Sequence, residues 1–185
     1  MNHDNVDLLQ RDWDRARPDL DSEPMGVILR IQALARILED QASARLEEFD
    51  LLYWQYDVLS ALRRQGPPYT LAASELADEV MISSGAMTNR IDGLEQDGLV
   101  TRLMDPQDRR KVLVCLTDKG LRLIEEAAEA RFDAAFQALD TLSPPQREQL
   151  SSLLRMVLGA QDPSGVCTAG AGRSLKPSCL RQFFG

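Results

Sequence analysis

Two short stretches carry side chains suited to recognising a polyanion. The first, SSGAMTNR (83–90), opens a run that stops at Asp97-Gly98. Ser83 can cap a helix there, and the small Ser84 and Gly85 let its N-terminus approach a phosphate backbone, where free N–H groups and the helix dipole are favourable. Thr88, Asn89 and Arg90 have the polar groups to meet base edges or phosphates, while Met87, Ile91 and Leu94 fall on the opposite, apolar side. The second stretch, Asp108-Arg109-Arg110-Lys111, sets three positive charges on a turn between two runs rich in β-branched residues. Such a loop can enter a minor groove, whose negative potential attracts Arg, with Asp108 fixing an Arg by a charge-assisted hydrogen bond. A plainer reading stands beside each: a simple helix cap, and a solvated basic turn. From 83 to 111, Arg90, Arg102, Arg109, Arg110 and Lys111 are balanced by Asp92, Glu95, Asp97, Asp105 and Asp108. Affinity must therefore come from a few placed contacts, not from a broad basic face.

The elements that hold these stretches follow from periodicity. Helices are predicted over 6–17, 25–49, 53–64, 70–80 and from the Ser83 cap to about Gln96. LVTRLM (99–104) and KVLVCLT (111–117), split by DPQDRR, read as a β-hairpin. Thr117 caps a second long helix with Leu121, Ile124, Ala128, Phe132, Phe136 and Leu139 in one stripe, and Ser143-Pro144-Pro145-Gln146 opens the last helix as a capping box. The fold class is mainly α with a small hairpin: two short helices, a tight turn and two strands make a winged helix-turn-helix. Residues 1–162 are expected to be one domain, with the DNA-binding part at 53–117, and the Gly- and Ser-rich 163–185 a flexible tail.

Composition narrows the function classes. The chain has 185 residues, 21 Lys and Arg against 29 Asp and Glu, and a net charge of −8, which excludes a basic nucleic-acid coat and disfavours anionic membranes. Its first ten residues lack a signal-peptide layout, and no stretch approaches the ~18 apolar residues of a membrane span. A cytoplasmic protein without membrane partners is expected. The single histidine, His3, and the absence of a glycine-rich phosphate loop or carboxylate–histidine cluster argue against an enzyme, a metal site or a cofactor.

The strings YDVLSALRR, SELADEVMISSGAMTNRIDGLEQDGLVTR and DPQDRRKVLVCLTDKG resemble the MarR family of bacterial transcription regulators, above all the Asp-Arg-Arg wing followed by Leu-Thr-x-x-Gly. The likeness runs over roughly residues 6–160. It implies a homodimer joined by its terminal helices (6–50 and 118–160), with a winged helix on each lobe reading a pseudo-palindromic operator in double-stranded DNA. That fits lone apolar stripes at 25–49, 121–139 and 150–158, which one small domain could not all bury.

An added helix before 25–49, carrying Trp13, is similar to the urate-responsive, PecS-like branch of that family. The branch pairs such a tryptophan with an aspartate and an arginine seven residues apart in the helix before the reading head, and with an arginine in the recognition helix. Trp13, Asp57, Arg64 and Arg90 match. Seven residues are about two turns, so Asp57 and Arg64 share a face. On this resemblance Arg64 pairs with an anionic purine such as urate or xanthine, Trp13 offers a flat face and an indole N–H, and Asp57 is strained by the arriving anion. If Asp57 otherwise holds Arg90, ligand entry shifts the recognition helix. The alternative keeps Trp13 as a packing anchor and Asp57–Arg64 as a surface pair worth under ~1 kcal/mol.

The expected function is a ligand-released repressor. Competing readings are a thiol redox switch through Cys115, Cys167 or Cys179, a regulator of phenolic or aromatic acids, and a protein-contact adaptor.

Overall fold

The computed structural model describes residues 3–108 and 111–161. Their contacts divide the chain into two compact units, one ending at Ala44 and one beginning at Arg45. No helix among the described residues is long and apolar enough to cross a membrane.

The N-terminal unit holds α1 (Asn5–Ala16) and most of α2 (Glu23–Glu47). Asp4 caps α1 by accepting the N–H groups of Val6 and Asp7, both at 3.0 Å. None of the α1 side chains is fully buried. The helix is instead tied to α2 by Arg30, whose guanidinium donates to Asp4 at 2.9 Å and to Asp7 at 2.7 Å, while Gln10 donates to the Ser22 carbonyl at 3.0 Å. The apolar stripe predicted on α2 divides: Ile28, Ile31 and Leu34 are exposed, whereas Leu46 lies in the core of the second unit. The helix stops at Glu47, two residues short of prediction, because Asp50 takes a left-handed backbone (φ 53°) and turns the chain.

The second unit runs α3 (Tyr53–Arg64), β1 (Thr70–Ala72), α4 (Ala73–Glu79), α5 (Ser84–Gln96), β2 (Val100–Met104), β3 (Val112–Leu116), α6 (Asp118–Ala138) and α7 (Pro144–Gln161). One apolar core joins Val58, Leu59 and Leu62 of α3 to Leu76, Met87, Ile91, Leu94, Val100, Val114 and Ile124. These residues recur at spacings of three and four on the helices, which is why α3 and α5 each turn one face inward, and on β3 buried Val114 and Leu116 alternate with less buried neighbours.

The structure departs from the sequence expectation at two places. The predicted helix at 70–80 begins only at Ala73, because Thr70–Ala72 pairs antiparallel with β3, Thr70 opposite Cys115 and Ala72 opposite Leu113. The hairpin is thus the major part of a three-stranded sheet ordered β1-β3-β2. The side of β3 that β2 leaves unpaired offers N–H and C=O groups, and pairing with them overrides the local helical pattern. The capping box at Ser143 is half formed. Gln146 accepts the Ser143 N–H at 2.8 Å, but the Ser143 hydroxyl also donates to Gln146, at 2.9 Å.

The join between sheet and α6 is close-packed. Thr117 caps α6 by accepting the Gly120 N–H at 3.0 Å and donates its hydroxyl to the Gly98 carbonyl at 2.7 Å. A Cβ on Gly120 would stand 2.0 Å from the Leu99 carbonyl oxygen, so no larger residue fits without moving backbone. The Leu-Thr-x-x-Gly string is therefore a splice between wing and helix. Phe132 and Phe136 of α6 and Leu153, Met156 and Val157 of α7 remain exposed. Cys167, Cys179 and the predicted tail lie outside the described residues.

Candidate functional site

The helix-turn-helix is α4, a turn through Met81 (φ 60°), and α5. Ser83 caps α5 by accepting the Ala86 N–H at 3.3 Å. Ser83, Ser84, Gly85, Thr88 and Asn89 all face solvent, while Met87, Ile91 and Leu94 are at most 1% exposed. A Cβ on Gly85 would meet nothing within 4 Å, so the start of α5 is open. The Thr88 hydroxyl donates to the Ser84 carbonyl at 3.0 Å, which leaves its oxygen lone pairs outward.

β2 and β3 carry the wing. Asp105 shapes its turn by accepting the Gln107 N–H at 2.8 Å, and the Lys111 N–H donates to the Asp108 carbonyl at 2.9 Å. Arg109 and Arg110 lie outside the described residues. The wing is fastened to α5 by Arg102, which the sequence reading counted only as a charge. Its guanidinium bridges Asp92 and Glu95, and its N–H donates to Glu95 at 3.1 Å. Those carboxylates on α5 are paired, and they hold the wing.

Of the four residues assigned to a small-molecule site, three lie in the second unit. Trp13 is on α1 in the N-terminal unit, 52% exposed. Asp57 is half-buried, and desolvation pushes its carboxyl above the ordinary value; Arg90, Arg64 and Arg131 oppose that rise in this order. Among the described residues no ion pair joins Asp57 to any of them. Arg64 instead donates to Glu79 of α4 at 2.8 Å and to the Ser60 hydroxyl at 3.0 Å, so the surface Asp57–Arg64 pair is not formed. Arg90 lies over the Trp54 ring, 5.5 Å from its centroid, and does not grip Asp57. Trp54 also covers Gly93, whose added Cβ would meet its ring at 3.7 Å. Trp54 and Arg131 were missed by sequence reading. The only clue to Trp54 was its place on α3 one turn before Asp57.

No group of three or more His, Cys, Asp or Glu side chains among the described residues can hold a metal ion. A cavity of about 400 Å³ in the N-terminal unit is lined by Asp7, Asp14, Asp21 and Glu23 as well as His3 and Arg11, a setting that repels anions.

A helix-turn-helix followed by a sheet whose last two strands form a projecting wing defines a winged-helix DNA-binding regulator. The MarR family model matches residues 53–112, which are α3 to the first residue of β3. The chain is 33% identical over 151 residues to the HTH-type transcriptional regulator PecS of Dickeya dadantii, covering 82% of this chain and 90% of that protein. It is similar to a MarR family transcriptional regulator from Streptomyces coelicolor solved in complex with DNA, at 29% identity and a TM-score of 0.68, covering 78% of this chain and 91% of the other. It is also similar to apo MarR from E. coli, at 27% identity and a TM-score of 0.59, covering 69% and 93%. The chain belongs to the MarR family. It is a DNA-binding transcription regulator and not an enzyme.

Proposed function

We propose that this regulator is a dimeric repressor that leaves its operator when urate or a related planar purine anion such as xanthine binds at Asp57, Arg64 and Arg90, with Trp13 kept as a further ligand residue on the resemblance alone. The observation that carries the reading is the double position of Arg90. It lies on α5, beside Thr88 and Asn89, and it is also the strongest charge acting on the half-buried Asp57 carboxylate of α3. An anion entering beside Asp57 draws on the same guanidinium and repels the same carboxylate, so binding is felt at the start of the reading helix. Arg64, already paired with Glu79, must then share its charge with the ligand.

In this reading Ser83, Ser84, Thr88, Asn89 and Arg90 face the major groove, and Asp108, Arg109 and Arg110 form the wing contact in the minor groove. Exposed Phe132, Phe136, Leu153 and Val157 support a second copy docking on the terminal helices. Cytoplasmic residence follows from the DNA target.

The test is fluorescence anisotropy on DNA from the protein's own upstream region, with and without ligand. Coupling should weaken operator binding about 5- to 150-fold in saturating urate or xanthine. Constant affinity across purines would sink the ligand assignment and leave the DNA-binding role intact.

A further inference from the structure

The outward stripe of α3 carries Tyr53, Tyr56, Asp57, Ser60 and Arg64, opposite its buried Val58, Leu59 and Leu62. Two arginines from other helices face that stripe. Arg90 of α5 lies 5.5 Å from the Trp54 centroid, and Arg131 of α6 lies 5.9 Å from the Tyr53 centroid. Arg131 also acts electrostatically on both Tyr56 and Asp57.

These two differ from the paired arginines. Arg30, Arg45, Arg63, Arg64 and Arg102 each meet a carboxylate. Arg90 and Arg131, both half-buried, rest on aromatic rings and take no ion pair among the described residues. A ring face offsets only part of the cost of removing a guanidinium from water. Beside Arg64, which is paired with Glu79, this face of α3 holds two cations, Arg90 and Arg131, against the single carboxylate of Asp57. Its net charge is one positive, which a monoanion cancels.

We propose that Arg131 is a ligand-holding residue of this site: Arg131 and Arg90 grip the planar monoanion from two sides, and Tyr53 and Trp54 supply the aromatic faces beside it. The inference rests on the purine-anion reading above and adds a residue, and a charge preference, to it. A fork of guanidinium donors matches the adjacent carbonyl and ring-nitrogen edge of urate, which a lone ammonium cannot do bidentately. A neutral purine leaves this face positive and should bind less tightly than urate.

The experiment is calorimetric titration of the full chain with urate, with xanthine and with uncharged hypoxanthine, in wild type, Arg131→Gln and Arg131→Lys, alongside operator binding. Arg131→Gln should weaken urate tenfold or more and remove the preference for urate over hypoxanthine, exceeding any change in operator affinity. Arg131→Lys should fall between the two. It carries the test if the Gln variant does not fold, with at least a threefold loss expected. Wild-type urate affinity in Arg131→Gln (or in Arg131→Lys, where that variant carries the test), or operator and urate affinities falling together, overturns the inference and leaves the proposed function standing. A wild-type chain that binds neither urate nor xanthine overturns both.

Discussion

In the N-terminal unit, α1 meets α2 through one guanidinium, two carboxylates and an amide, and its leucines stay half exposed. In the second unit, α5 meets its neighbours through Met87, Ile91 and Leu94, none more than 1% exposed. The first kind of joint is directional and depends on protonation and salt; the second is set by volume and is indifferent to both. The helix that carries Trp13 is thus attached by a joint that solution conditions can loosen, and the reading head is not.

Core truncation should show the largest contrast. Leu94→Ala should cost about 2–5 kcal/mol, through lost transfer energy and a residual cavity. Leu8→Ala, 54% exposed on α1, should stay within about 0.5 kcal/mol in the same denaturant melts. Equal losses would abolish the distinction. Glycines give the next test. Gly120→Ala should cost about 1–3 kcal/mol because its Cβ meets a backbone carbonyl. Gly26→Ala meets only the flexible end of Gln10, and the better helix propensity of Ala, worth about 1 kcal/mol, should nearly offset that contact.

Arg102→Ala removes charge-assisted bonds between wing and α5 and should cost about 1–2 kcal/mol. It should also lower operator affinity on every sequence alike, since a displaced wing loses groove and phosphate contacts rather than base reading. Unaltered DNA binding would show that the clamp is only structural.

Acid should act on α1 alone at first. Hydrogen bonds from Arg30 hold Asp4 below its ordinary value of 3.8, and the Asp4 N–H, with His3 and Arg30, does the same for Asp7. A depressed carboxyl stabilises fully above its unfolded value and loses that contribution as pH falls through the folded one. Hydrogen exchange, corrected for intrinsic rates, should therefore show α1 protection flat above about pH 5 and falling below 3.8 before that of α5. The smallest effect belongs to Asp57→Asn. Burial raises that carboxyl, so its charge costs stability that grows as pH rises from the unfolded value to the folded one. The variant should melt slightly higher at neutral pH, with the gain vanishing in acid. A gain that persists in acid would point to packing.

Local chemistry made much of this legible. Ser83 and Thr117 cap where their hydroxyls predicted, and Gly98, at φ 69°, ends the reading helix where Asp97-Gly98 said it would. The α3 boundaries agree to the residue. β1 was not legible, because TLAASELADEV reads as continuous helix until β3 is placed beside it. Arg102 and Arg131 were missed for a related reason. A charged side chain shows its partner in sequence only at helical spacing, and theirs come from other elements. The same blindness hid Glu79, which occupies Arg64.

The splice at Thr117 and Gly120 has a mechanical consequence. With Thr117 bonded to Gly98 and Gly120 pressed on Leu99, α6 has no hinge at its base and prolongs the wing as a rigid stem. Its 21 residues make a lever about 30 Å long. A tilt of about 5° at the sheet displaces its far end by about 3 Å over that length, and a push at the far end turns the wing through the same angle.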